Sequence, residues 1–364
     1  MYKRTINILK ERLYLIKHVF LRNHIKGVIN LIWAYLDFKF EPLILRSQPL
    51  FLNLSPTNRC NLRCKMCPQF NSAQEQNNKD LTIEQYQLIL NKFPYLIRLN
   101  LIGAGEPFLN QDFCEMIKIA KERRIKVNFV TNGLLLTKEI ARKIVDHRVD
   151  SVVFSIDGAT KKTYENIRQG SNFETVLNNV RYLVELKNGN ALNRERNLPD
   201  LGVNFVTMKE NLDELPQIVD LVSSLGIKKL FVNRVRMMQG CQNRMGNIDL
   251  TDAQGLRQIL SQTLEKAGDL EMNLPLASFY PTYARRKCKV AWFGPIVSCD
   301  GVVTPCCVAE LNMGNIYQQD FLEIWNGSAY QDFRRALKTP DPLSIASYCR
   351  ECLYYNCLLP GRQE

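Results

Sequence analysis

The chain has 364 residues, 46% of them hydrophobic, with 12 cysteines and a formal net charge of +12. This length accommodates two domains, or one large barrel with an appendage, and the apolar share supports a sizeable core without disulfides. The cysteines are too many for an ordinary cytosolic enzyme and too unevenly placed for a secreted disulfide scaffold. The opening MYKRTINILKERLYLIKHVF mixes Lys, Arg and Glu and has no apolar signal-peptide core, so a reducing, cytoplasmic compartment with thiolates used for metal is expected. A basic balance of this size suits nucleic acid, an anionic membrane face or an acidic substrate.

Residues 1–50 hold nine Lys/Arg against three acids, half of the basic excess, together with Trp33, Tyr35 and the apolar run VINLIWAYL from Val28. That run falls short of the ~20 residues a bilayer span needs. The segment reads as a basic helical extension. It either packs on the body with a solvated basic face, or lies through residues 1–45 on a membrane surface, leaving the protein peripherally membrane-associated, or on a partner.

From residue 51 strands and helices alternate. FLNLS (51–55) is a strand. TIEQYQLILNKF (82–93) is a helix that Thr82 caps. A strand (96–105) and a helix (112–124) follow, then a strand (125–133) and a helix (138–148). After these come a strand (149–158) and a helix (172–188), a strand (201–209) and a helix (213–226), and a strand (227–237) and a helix (251–268). Six strand–helix units over 51–270 argue for a parallel sheet with helices outside it. They fit an incomplete α/β barrel as well as an open doubly wound sheet, and periodicity does not choose. Residues 188–200 form a polar loop. The alternation stops near 270, a boundary is expected around 270–285, and residues 285–364 are short-turned and cysteine-rich.

The stretch SPTNRCNLRCKMCPQ (55–69) places Cys60, Cys64 and Cys67 directly after the first strand. In a parallel α/β barrel the active site lies beyond the C-terminal strand ends, which is where this loop falls. A zinc site borrowing a fourth ligand, or unrelated buried thiols, are the plain alternatives. No fourth Cys or His lies nearby, and His147 sits at a helix end. Three thiolates on a 4Fe-4S cluster would leave one iron open to a cofactor or substrate.

This triplet resembles the motif of the radical S-adenosylmethionine (SAM) superfamily, and the likeness runs over residues 51–237. GAGEP (Gly103 to Pro107) looks like the family's Gly-Gly-Glu-Pro motif, which holds the SAM amino group and here comprises Gly103, Gly105 and Glu106. TNG (131–133) and FSIDG (154–158) recur at strand ends in similar enzymes. By the resemblance, Ser155 and Asp157 reach the SAM ribose or carboxylate, and Arg168 in YENIRQG pairs with the carboxylate. Glycines near SAM permit close backbone approach. Ala104 replaces the second glycine of the motif, Met66 stands where an aromatic residue is usual, and the fifth-strand glycine-rich adenine motif is absent. Read alone, Asp157 is a turn residue and Glu106 a helix cap.

The tail pairs Cys288, Gly301 and Cys306 with a later Cys349-x-x-Cys352. This looks like a SPASM auxiliary-cluster domain in its shorter twitch form, with Cys288, Cys306, Cys349 and Cys352 around one closed 4Fe-4S cluster. DGVVTPC reads as a hairpin with an Asp-Gly turn. A zinc ribbon is the alternative. Cys299, Cys307 and Cys357 are left over; Cys114 reads as core and Cys241 as a loop thiol without a role.

The resemblance implies an α/β fold: a partial (β/α)6 TIM-like barrel with a small cysteine-rich SPASM/twitch domain. It implies a radical SAM oxidoreductase or maturase that uses a SAM-binding 4Fe-4S cluster, SAM and an auxiliary 4Fe-4S cluster. The expected partners are a small-molecule or peptide substrate, a sugar or envelope precursor included, and an electron donor such as flavodoxin or ferredoxin. The competing class is a zinc-dependent nucleic-acid-binding protein. Against it, the basic excess lies outside the cysteine segments and no aromatic-plus-basic nucleic-acid motif occurs, so no nucleic acid is expected.

Overall fold

The structure, a computed structural model, describes residues 25–67, 69, 78–190, 198–235, 253–275, 288–307 and 311–338. Six parallel strands form its body: β1 (Phe51–Leu54), β2 (Arg98–Leu101), β3 (Lys126–Thr131), β4 (Ser151–Ser155), β5 (Asp200–Thr207) and β6 (Leu230–Arg234). Each pairs with its sequence neighbour, in the order β6-β5-β4-β3-β2-β1. A doubly wound sheet reverses its order at a switch point. No reversal occurs here, so the choice that periodicity left open falls to the incomplete barrel.

The strand pattern explains which face the helices cover. Leu52, Leu54, Leu99, Leu101, Val127, Phe129, Val152, Phe154, Val203 and Phe205 occupy alternate strand positions and are buried in one core. Against them lie α2 (Ile83–Asn91), α3 (Phe113–Glu122), α4 (Lys138–Asp146), α5 (Lys161–Ile167), α6 (Phe173–Asn190), α7 (Leu215–Ser224) and α8 (Ala253–Asp269). Right-handed crossovers put such helices on a single face. The opposite face carries an amide ladder across three strands: Asn100 donates to Asn53 (2.8 Å) and Asn128 to Asn100 (3.0 Å). Thr82 caps α2 as expected, and Gln85 closes a reciprocal capping box.

The tail continues the same sheet. β7 (Ile296–Val297) runs parallel to β1, and β8 (Val302–Thr304) and β9 (Gly314–Asn315) follow antiparallel. The expected hairpin is β7–β8, turning at Asp300–Gly301. Gly301 has φ +86°, and a methyl group there would meet the Tyr317 ring at 2.4 Å. Two helices close the tail, α9 (Phe321–Trp325) and α10 (Ser328–Lys338). Arg334 of α10 is fully buried and donates to Ala291 O (3.1 Å) and Leu43 O (2.8 Å).

The N-terminal extension is helical over residues 25–40, here α1. Its inner side, Val28, Leu31 and Ala34, packs with Leu50, Phe51, Tyr95 and Ile97 at the β1–β2 end of the body. Its outer side carries exposed Ile25, Ile29, Ile32, Tyr35 and Phe40. Among the described residues no helix is long and apolar enough to cross a membrane.

Candidate active site

Because β1 to β4 are parallel, their C-terminal ends share one edge, and the loops leaving them meet there. The loop after β1 carries the three cysteines. Ser55 Oγ donates to Thr57 O (2.9 Å), and Thr57 Oγ1 donates to Asp80 Oδ1 (2.6 Å). Arg59 Nε donates to the same Asp80 oxygen (2.9 Å), and Arg59 Nη2 reaches Leu109 O (2.7 Å). Cys60, Cys64 and Cys67 are partly buried thiols outside any disulfide, and Cys67 N–H donates to Cys64 O (3.1 Å).

The GAGEP loop after β2 lies directly on this cysteine loop. Glu106 N–H donates to Arg59 O (2.8 Å). Methyl groups at Gly103 and Gly105 would meet Ser55 Oγ at 2.0 Å and Arg59 O at 2.5 Å. The close approach these glycines permit in the structure is therefore loop to loop. Ala104, the departure from the family pattern, is exposed, so its extra methyl meets solvent.

Glu106 is almost fully buried. Its carboxylate accepts from Thr131 Oγ1 (2.7 Å) and Asn132 N (2.7 Å), and more distantly from Phe108 N (3.4 Å). Burial outweighs these donors and pushes its pKa up to about 7. The TNG sequence after β3 thus works as the holder of Glu106, and Asn132 also donates to Asn61 Oδ1 (2.9 Å) in the cysteine loop.

Ser155 ends β4 and is nearly buried. Asp157 is fully buried. Its Oδ1 accepts from Val206 N (2.7 Å), and its Oδ2 lies 2.6 Å from Arg168 Nη2. Burial raises the Asp157 pKa, with Arg168 opposing. Burial also works against the charge of Arg168, but Asp157 and then Cys64 more than offset it, and the guanidinium pKa is raised. Arg168 Nη1 donates to Cys64 Sγ at 3.8 Å. The structure therefore brings Asp157, Arg168 and Cys64 together.

Several residues escape the motif reading. Lys65 pairs with Glu210 (2.9 Å), which also accepts from Asn166, tying the cysteine loop to α5 and to the loop after β5. Asn211 donates to the carbonyls of Asp157 and Val206 (both 2.9 Å). The only sequence signal for these is the polar run MKEN (208–211) where the adenine motif is missing.

The three thiols suit an iron–sulfur cluster. Burial pushes the Cys64 thiol up to about 11; Arg168 opposes this, while Cys67 and Cys60 add to it, so the sulfurs lie within each other's field. Ligation to iron takes up thiolates and removes that penalty. Among the described residues no three Cys, His, Asp or Glu side chains converge on one point, as a lone ion requires. A four-iron cluster takes each thiolate on a separate iron, so its ligands surround a volume instead.

In the tail, Cys288 is partly buried before the Val290–Trp292 turn, and Cys306 is partly buried just beyond β8. Cys349, Cys352, Cys357 and Cys241 lie outside the described residues. Cys299 is buried beyond β7, Cys307 is exposed, and Cys114, expected in the core, is only partly buried.

Comparison with known proteins gives two family matches: the radical SAM superfamily over residues 54–222 and an iron–sulfur cluster-binding domain, SPASM, over residues 288–353. The chain is 28% identical to the tungsten-containing aldehyde ferredoxin oxidoreductase cofactor-modifying protein of Pyrococcus furiosus, over 78% of this chain and 83% of that protein. It is 24% identical to the PqqA peptide cyclase of Granulibacter bethesdensis, over 84% and 79%. Streptococcus suis SuiB bound to S-adenosylmethionine superposes with a TM-score of 0.68 at 19% identity, covering 98% of this chain and 82% of that one.

Proposed function

This chain belongs to the radical SAM superfamily and carries a C-terminal SPASM domain, and we propose that it is a maturase that modifies a peptide. As a radical SAM enzyme its cofactors are a 4Fe-4S cluster and SAM, with a further iron–sulfur cluster in the SPASM domain. Cys60, Cys64 and Cys67 hold the first cluster. The observation that carries this is their placement on one loop at the C-terminal strand edge, braced by Glu106, Asn132 and Arg168.

When bound, cluster and SAM supply a 5′-deoxyadenosyl radical that takes hydrogen from the substrate. The chain's own residues bind and orient. Gly103, Gly105 and Glu106 form the cradle for the SAM amino group, and Glu106 offers it a buried carboxylate fixed by Thr131 and Asn132. Ser155 lies on the same edge, suited to the ribose or carboxylate. The Asn61–Asn132 and Lys65–Glu210 pairs tie the cysteine loop to its neighbours and fix its position.

Cys288, Cys306, Cys349 and Cys352 would hold one auxiliary cluster, which would supply an electron acceptor for an oxidation. A flavodoxin- or ferredoxin-type protein supplies the reducing electron. A peptide substrate is favoured over a sugar or envelope precursor by the similarity to a peptide cyclase across most of both chains. The basic N-terminal helix makes peripheral contact with an anionic membrane surface.

The test is anaerobic reconstitution followed by dithionite and SAM. Wild type is expected to release 5′-deoxyadenosine, and Cys60→Ala to release none. Iron near eight per chain is expected; a value near four removes the auxiliary cluster. Incubation with a short peptide encoded beside the gene, followed by mass spectrometry, tests the substrate class. An unchanged peptide mass with active SAM cleavage overturns the peptide reading.

A further inference from the structure

Arg168 sits opposite Cys64 in a short backbone ladder. Arg63 N–H donates to Gln169 O (2.9 Å) and Lys65 N–H to Ile167 O (3.0 Å), so the residues flanking Cys64 are bonded to the residues flanking Arg168. The side chains complete the pairing: Nη1 donates to Cys64 Sγ at 3.8 Å, and Nη2 lies 2.6 Å from Asp157 Oδ2. Arg168 is only 8% exposed and Asp157 is fully buried, so water does not screen these charges. Asp157 is itself fixed by Val206 N and, through its carbonyl, by Asn211. The backbone ladder thus fixes the residues on either side of Arg168, and the carboxylate holds its guanidinium with Nη1 on the sulfur.

We propose that Arg168 is a positioning residue for the cysteine loop that acts through Cys64, raising the reduction potential of the SAM-binding cluster, and that Asp157 damps this effect. The inference rests on the reading that Cys60, Cys64 and Cys67 hold that cluster. Reduction adds negative charge to a cluster, and hydrogen bonds to its sulfurs and low solvent exposure set its potential. A buried cation donating to a ligand sulfur stabilises the reduced form, and a neighbouring carboxylate opposes it. Arg168 is thereby distinct from a simple clamp on the SAM carboxylate, whose removal would weaken SAM binding and leave the cluster of the SAM-free enzyme unaltered.

The experiment is an anaerobic redox titration of the full-length, iron-loaded protein followed by electron paramagnetic resonance. The cluster of interest is the one whose signal changes when SAM is added, which separates it from the auxiliary cluster. If wild type shows iron but no SAM-responsive signal, the assignment of Cys60, Cys64 and Cys67 fails first. Given that signal, Arg168→Gln is expected to lower the potential by about 59 mV, equivalent to tenfold in a one-electron equilibrium. Arg168→Lys, which keeps the charge, retains most of the wild-type potential. Asp157→Asn shifts it upward. Opposite signs at two partners of one ion pair are not produced by general loosening of the fold. Unchanged potentials in loaded Arg168→Gln and Asp157→Asn overturn the proposal, as does a loss of SAM affinity without a change in potential. Should Arg168→Gln fail to take up iron, Asp157→Asn decides: an upward shift supports the proposal, and an unmoved or lowered potential overturns it.

Discussion

Gly105 stands where a side chain has no room. A methyl group there would come within 2.5 Å of Arg59 O and 2.6 Å of Thr57 O, both backbone atoms that cannot rotate away. Overpacking of this kind costs about 1–3 kcal/mol, and here the strain falls on the residue before Cys60. Gly105→Ala is expected to lower stability by that amount in urea denaturation, and to lower the iron content of the reconstituted protein more than its helix content. Glu106 gives a second outcome. Its carboxyl ionises ordinarily near 4.5 and in the fold near 7. Below pH 4.5 the group is protonated folded and unfolded, and its contribution to stability is present in full. As pH rises through about 7 that contribution is lost, by roughly 3 kcal/mol at one pKa unit per 1.36 kcal/mol. Denaturation of the cluster-free protein between pH 5 and 8 is therefore expected to show a decline that Glu106→Gln lacks. The cysteine triplet and Glu106 were legible as residues because their spacing is local. The partnership of Cys64, Asp157 and Arg168 was not: Cys64 lies 104 residues from Arg168, and a motif names each member without naming its partner.

At the scale of elements, the alternation of apolar and polar residues located all six strands, since every second residue of β1 to β5 is buried. It could not order them, because strand order depends on pairing between distant segments. Three helices escaped. α9 has only five residues, Phe321–Trp325. α5 has only seven residues, Lys161–Ile167, too few to display a helical period beside the long α6. α10 hides in a tail whose cysteines and turns dominate its composition, yet it supplies the buried Arg334. The union of tail and barrel was equally unreadable, because β7 is two residues long. It is nonetheless firm: Phe51 and Phe293 stack with centroids 4.4 Å apart, and a methyl group at Gly294 would meet Phe51 O at 2.3 Å. Gly294→Ala should therefore push β7 from β1, the strand that leads into the cysteine loop. The expected result is a lowered melting temperature together with lowered iron incorporation at both clusters. Loss confined to the auxiliary cluster would show that the two units are independent.

For the molecule as a whole, the surface of α1 is out of keeping with solvent. Ile25, Ile29, Ile32 and Phe40 follow one another on its outer side at intervals of four, three and eight residues, all exposed. Residues 1–50 carry nine Lys/Arg and three acids. Of those acids, Asp37 is taken up by the backbone of Arg46 and Ser47, and Glu41 by Lys289 at 2.7 Å. An exposed apolar stripe on a segment whose sequence is net basic is the chemistry of a helix lying in a lipid interface. The net charge of +12 opposes self-association of this chain. Each basic residue near an anionic bilayer contributes about 1 kcal/mol, falling with ionic strength. The full-length protein should sediment with vesicles containing phosphatidylserine and not with pure phosphatidylcholine, and salt should release it. Ile29→Glu with Ile32→Glu reverses the character of the stripe without touching the inner contacts of Val28, Leu31 and Ala34, so it should abolish sedimentation and leave SAM cleavage intact. Equal sedimentation of wild type and double variant would remove the membrane from the account. A stable dimer of the wild type in the absence of vesicles would assign the stripe to a second copy despite the charge.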